Sequence, residues 1–228
     1  MFINQRSASL LRFHELRSLL TFIRANESPD PMTTPDDRSV ATVRGLFVVN
    51  LYGAYEYSVN LAVERLLDLI SSKSVAALHL EVCVHSVACD AEFDSLRSVG
   101  ELKQWQRRLT LVRRQASPDP VVIPGSVFYQ FLQNIRVASL EQVFDCLGVS
   151  ASPVPDPRFR GYLDEVVEKR NQVAHGRESP YDAASGMRSP ELERRLEAIS
   201  KTCDHVFDSF EAHLASKAYV QQPHRHLY

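Results

Sequence analysis

"RGLFVVNLYGAYEYSVNLAV", residues 44–63, decides the fold. The run reads either as a membrane span or as a helix buried among other helices. Between Gly45 and Val63 the only charge is Glu56, and the length approaches the ~20 residues that cross a bilayer. Against a span stand Asn50, Asn60, three tyrosines and two glycine interruptions, Gly45 and Gly53. A carboxylate in mid-span costs about 2.5–3.5 kcal/mol on insertion scales. The stretch is therefore expected to form the middle of a soluble helix over about 39–71. That helix is apolar nearly all round, so other elements must cover most of its sides.

Working outward, residues 4–26 form an amphipathic pattern, with Leu10, Phe13, Leu16, Leu20 and Ile23 at steps of three and four. "ESPDPMTTPDD", 27–37, is a loop, and Asp36, Asp37 or Ser39 can cap the helix that follows. Residues 74–98, with "VAALHLEVCVHSVAC", fit strand or helix equally well. "ELKQWQRRLTLVRRQ", 101–115, reads as a basic helix, and 126–147 as one or two helices. The prolines of "SASPVPDP" stop the chain before a helix that begins near Arg158. A last long helix starts at Ser189, with Pro190 in its first turn, and runs to about Ser216. The expectation is an all-α bundle in one domain, 1–216, followed by a flexible tail, 217–228.

Composition narrows the function classes. The 228 residues are 44% hydrophobic and 24% charged, with net charge −2. A globally basic nucleic-acid binder is excluded, whereas a local basic patch is not. The four cysteines show no framework spacing and the N-terminus lacks a continuous apolar core, which together point to reduced thiols and a cytoplasmic location.

The chemistry concentrates in "YLDEVVEKRNQVAHG", 162–176. At 100° per residue from Val166, the apolar stripe of Phe159, Tyr162, Leu163 and Val173 centres at about 20–30°. Arg170 falls at about 40°, inside that stripe. A buried arginine without a partner is very costly, so this face must meet an acidic group, a watery cleft or an anion-binding interface. Glu56, the lone charge of the central helix, is one candidate partner, which would make Arg170 a structural ion-pair member. Asn171 and His175, four apart, lie near 140° and 180°, off the core. His175 closes the helix and Gly176 suits a left-handed cap. An arginine that grips phosphate and a histidine that exchanges protons near neutrality together suit metal-free RNA cleavage. There the ribose 2′-OH attacks its own phosphodiester and needs a base, an acid and a cation.

Arg170-Asn171-Gln172-Val173-Ala174-His175 resembles the R-x(4–6)-H signature of the HEPN superfamily. "RGLFVVNLYGAYEYSVNLAV", "EFDSL" and "NIRVASLEQVFDCLGV" are similar to segments that precede the motif in its standalone nuclease families, so the likeness covers about 40–215. It implies a HEPN-like helical bundle, with extra helices inserted between the first long helix and the motif helix. It implies a homodimer in which two motifs share one composite active site. It also implies a metal-independent endoribonuclease without cofactor, in a prokaryotic toxin–antitoxin or antiviral system with a partner such as an antitoxin. Carried over by position, Arg170 binds phosphate, His175 transfers protons and Asn171 orients the RNA substrate. Some HEPN proteins lack nuclease activity, so a module that only binds RNA or nucleotides, or mediates dimerisation, is the alternative.

Two further groups are candidates. Arg107, Arg108 and Arg114, with Trp105 for base stacking, could track an RNA backbone, or could simply be a solvated helix face. His79, Cys83, His85 and Cys89 would share one face of a strand, yet their spacing is no recognised zinc pattern, so no metal site is expected.

Overall fold

The computed structural model describes residues 1–30 and 32–228. In chain order it contains α1 (Ile3–Asn26), α2 (Arg38–Ser71), α3 (His85–Ala88), α4 (Asp90–Arg97), α5 (Glu101–Gln115), α6 (Val137–Leu147), α7 (Phe159–Ala174), α8 (Pro180–Ala183) and α9 (Ser189–Ala215). Among the described residues there is no strand, only two isolated bridges, Ala76 to Pro120 and Leu80 to Val220. The architecture is an all-α bundle.

The stretch 44–63 becomes the core of α2. Phe47, Leu51, Tyr55, Val59, Ala62 and Leu66 are all fully buried, and α1, α7, α8 and α9 pack around them. No helix among the described residues is long and apolar enough to cross a membrane. Asp37 starts α2 by accepting a hydrogen bond from the Ser39 N–H at 2.7 Å, a use of the side chain that satisfies a free helix-end donor. Only one edge of α2 stays open: Asn50 is exposed, and Gly53, Glu56, Tyr57 and Asn60 are half-buried.

Two regions depart from the sequence pattern. The valine-rich segment 74–98 forms 3-10 turns at Ala77–His79 and Val82–Val84, then α3 and α4. It cannot be a strand ladder because its backbone finds only scattered partners: Glu81 N–H donates to the Tyr219 carbonyl, and the His79 carbonyl accepts from Gln221 N–H. Those partners belong to the C-terminal residues, which are ordered rather than loose. Tyr219 and Val220 are buried, Gln222–Leu227 form a 3-10 helix, and His224 stacks on His79 at 3.9 Å. Of the 126–147 segment, only Val137–Leu147 is α-helical; a 3-10 turn at Phe131–Gln133 precedes it.

The motif helix α7 is clamped at its end. After the helix the chain folds back into α8, whose Ser179 Oγ accepts from Asp182 N–H, and Lys169 Nζ donates to the Ala183 carbonyl. α8 in turn sits on α2 at Gly45, where an added Cβ would lie 1.8 Å from the Pro180 carbonyl oxygen. Backbone atoms cannot yield that distance cheaply. Gly45→Ala is therefore expected to destabilise the protein by about 2 kcal/mol or more, measured by urea unfolding, because overpacking costs about 1–3 kcal/mol even where side chains can move.

His213, on α9, is buried beside Tyr219. Burial first, then the Arg225 charge, push its imidazole down to about 4. The unfolded chain, whose histidines titrate near 6.5, takes up this proton first, so stability must fall as pH drops from about 6.5 to 4. Unfolding free energies at pH 7 and pH 4.5 should differ by a few kcal/mol (about 1.4 kcal/mol per pH unit for one proton), and His213→Phe should flatten that slope.

Candidate active site

α2, α7 and the segment 133–137 build the site. The segment is tied down by backbone groups, which its sequence does not advertise. Ile135 N–H donates to the Tyr52 hydroxyl at 3.2 Å, and Val137 N–H donates to Asp164 Oδ1 on α7 at 3.2 Å. Arg136 pairs with Glu168 at 2.8 Å. The segment therefore spans α2 and α7 and points the Gln133 carbonyl at the last turn of α7.

Arg170 occupies that junction. Its guanidinium lies 3.7 Å from the centroid of the Tyr52 ring and donates through Nη2 to the Gln133 carbonyl at 3.1 Å. The expected ion pair with Glu56 forms, but at 3.8 Å, with the Arg170 side chain 19% exposed. Its Nε has no hydrogen-bond partner among the described residues. Tyr52 donates onward to Glu56 Oε1 or the Gln133 carbonyl, both at 3.1 Å. Burial, chiefly, pushes the Tyr52 phenol up to about 12, so at neutral pH it keeps its proton and serves as a donor and a ring face, not as a base.

Arg44 is a useful contrast. It is buried, with Nη1 3.3 Å from Glu27 and Nη2 2.9 Å from Asp36, both buried. Glu27 also accepts from the Ser189 N–H and Oγ at 2.9 and 2.8 Å. This network locks the end of α1 to the starts of α2 and α9. Glu27 and Asp36 face Arg44 and, at 3.7 and 3.8 Å, Arg188, in a network of two cations and two buried carboxylates, whereas Arg170 faces one half-buried carboxylate at 3.8 Å and is itself partly exposed to solvent.

Asn171 Nδ2 donates to Asn134 Oδ1 at 3.0 Å. His175 is the C-cap of α7. Gly176 follows in the left-handed conformation, φ 66°. Gly176 N–H donates to the Val173 carbonyl at 3.0 Å and Arg177 N–H to the Gln172 carbonyl at 2.9 Å. This is a Schellman cap, and a glycine suits the positive φ it requires. The backbone of His175 is thereby fixed, while its exposed side chain makes no hydrogen bond to the described residues. Five residues apart on a helix, Arg170 and His175 point about 140° away from one another. Among the described residues no hydrogen bond links the two or holds the His175 ring.

Arg107 and Arg108 are exposed and Arg114 half-buried on α5, which packs mainly on α4 and the 77–79 turn. They share no hydrogen bond or ion pair with the α7 motif among the described residues. Arg108 lies over the Trp105 ring at 4.7 Å, beside an exposed stripe of Leu102, Trp105, Leu109 and Val112. His79, Cys83, His85 and Cys89 are spread over turns and α3 instead of one strand face. Among the described residues no three His, Cys, Asp or Glu side chains are grouped to hold a metal ion. Sequence reasoning missed Tyr52, Gln133 and Asn134. Tyr52 had a signal, its four-residue step to Glu56 on one helix face; a backbone carbonyl has none.

No curated protein and no solved structure matches this sequence. The sequence model of the family described as RiboL-PSP-HEPN matches residues 8–212, a span that takes in α2, the 133–137 segment, the α7 motif and most of α9. The chain belongs to that family, a HEPN-superfamily, nuclease-like domain.

Proposed function

We propose that the chain is a metal-independent endoribonuclease in which Arg170 holds the scissile phosphate, His175 moves protons and Asn171 orients the strand. The state of Arg170 carries the reading: a cation braced by Tyr52 and a carbonyl, paired with a carboxylate only at 3.8 Å. A structural arginine is neutralised at close range, as Arg44 is. The divergence of Arg170 and His175 supports a homodimer, since a two-fold pairing of α7 ends assembles one cleft from both motifs. In that cleft a neutral His175 takes the ribose 2′-OH proton and the 2′-oxygen attacks phosphorus. The P–O5′ bond breaks, and the protonated His175 of the partner subunit gives its proton to the departing 5′-oxygen. The products are a 2′,3′-cyclic phosphate and a 5′-hydroxyl. Arg170 stabilises the extra charge on the non-bridging oxygens. Such an activity suits a prokaryotic toxin restrained by an antitoxin, or an antiviral effector.

Purified protein should cleave single-stranded or loop RNA in EDTA. His175→Ala and Arg170→Ala should each reduce cleavage by at least about 100-fold, the usual scale for one general acid–base or charge-stabilising group, with helical circular dichroism retained. Intact RNA in the presence of wild-type protein, with binding preserved, would establish a non-catalytic module instead. Induced expression should arrest growth with wild type and not with His175→Ala. Glu56→Gln is expected to lower stability by less than about 1 kcal/mol, since a long, part-exposed pair is screened by solvent. It should, however, alter KM for RNA by freeing Arg170.

A further inference from the structure

Glycine inside a helix is destabilising by about 0.5–1 kcal/mol relative to alanine, so each one in α2 needs a reason. Gly45 has one in Pro180. Gly53 has none within the chain: a Cβ there would meet no atom within 4 Å, and its φ is not positive. It instead floors a cleft of about 500 Å³ whose lining includes Arg12, Glu56, Tyr57, Asn60, Tyr129 and Gln133, with Leu132 among them. A neighbouring cleft of about 410 Å³ shares Gly53 and Arg12 and extends to Asn50. The first cleft opens against the candidate active site, because Glu56 and Gln133 are the groups that hold Arg170.

The lining has a consistent chemistry. Arg12 lies over the Tyr57 ring at 3.9 Å and forms no ion pair among the described residues. Tyr129 is 64% exposed, and neither tyrosine hydroxyl is hydrogen-bonded among the described residues. Asn60 spends its amide N–H on the Glu56 carbonyl at 2.9 Å, which leaves its side-chain oxygen free to accept. Aromatic faces, a planar cation and free amide edges are what an unstacked single-stranded base requires. The volume suits one nucleotide, since ligand clefts run from about 300 to 1,000 Å³. The wall also has apolar parts, Leu132 in the first cleft and Leu16, Leu19 and Val49 in the second, so a second protein helix over the glycine is the competing occupant that the test must exclude.

We propose that this cleft is a nucleotide subsite: the base flanking the phosphate on Arg170 enters over Gly53, stacks on Tyr129, and has its adjoining phosphate held by Arg12. The assignment rests on the RNA-directed reading of Arg170 and His175. Gly161 in α7 is open in the same way, so the assignment is carried by the lining of the cleft: Arg12 without an ion pair among the described residues, the exposed Tyr129 ring and the free Asn60 oxygen.

The test fills the floor. Gly53→Ala and Gly53→Leu are compared with wild type, each also in a His175→Ala background for binding to a short, end-labelled single-stranded RNA of mixed sequence. Gly53→Ala should raise Tm by about 1–4 °C, the gain of a better helix former in a chain of this size. Gly53→Leu should keep the fold yet weaken RNA binding at least about tenfold, the scale of one lost base–aromatic contact. Tyr129→Ala should weaken it similarly, and Arg12→Ala should reduce the slope of log K against log salt by about 0.7, one single-strand phosphate contact. Wild-type RNA affinity in Gly53→Leu overturns the subsite. A changed oligomeric state in Gly53→Leu, measured by sedimentation, also overturns it by making the cleft a protein contact. If wild type binds but does not cleave, while Gly53→Leu fails to bind, the cleavage reading falls and the subsite stands.

Discussion

The fold depends on covering α2. A helix of 34 residues that is apolar around most of its circumference cannot face water, and four other helices close over it. This constraint also decides where chemistry can occur. Buried polar groups on such a helix must be paired, as Arg44 and Ser58 are; along the edge that the neighbours leave open, α2 places Asn50, Glu56, Tyr57 and Asn60. The open edge meets the end of α7 at Arg170. The candidate site is thus the seam where the cover over α2 is incomplete.

Two arginines show how one side-chain type is put to opposite uses. Arg44 sits between two buried carboxylates and joins three chain segments; its charge is consumed in holding the molecule shut. Arg170 is supported by the π face of Tyr52 and a carbonyl dipole, groups that orient a cation, with its one carboxylate, Glu56, held off at 3.8 Å. The clamp formed by α8, seated at Gly45, keeps the end of α7 in register with these supports.

Local signals were legible and distant ones were not. The cap at Asp37, the left-handed Gly176, Pro190 at the start of α9 and the buried run 44–63 each follow from a few adjacent residues. Arg170's place in an apolar stripe follows from helical spacing, and its link to Glu56 from that residue being the lone charge of the buried run; Asn171 and His175 stand out through the resemblance. The 74–98 segment did not resolve, because its valines fit two geometries. What decides is pairing with Tyr219 and Gln221, well over a hundred residues away. For the same reason the C-terminal residues read as a loose tail: their partners are invisible from their own sequence. The Gln133 carbonyl escaped notice because backbone groups look alike in every residue.

The opposed directions of Arg170 and His175 carry a consequence for dosage. Under the proposed reading, each molecule supplies one motif to a cleft that only pairing completes. When chains are scarce and pairing is weak, output rises with the square of their number, so a doubling of synthesis gives about a fourfold rise in active clefts. One defective copy silences the sound copy it pairs with. Abundance itself then acts as the throttle, and a cell can hold the protein harmless by keeping it dilute.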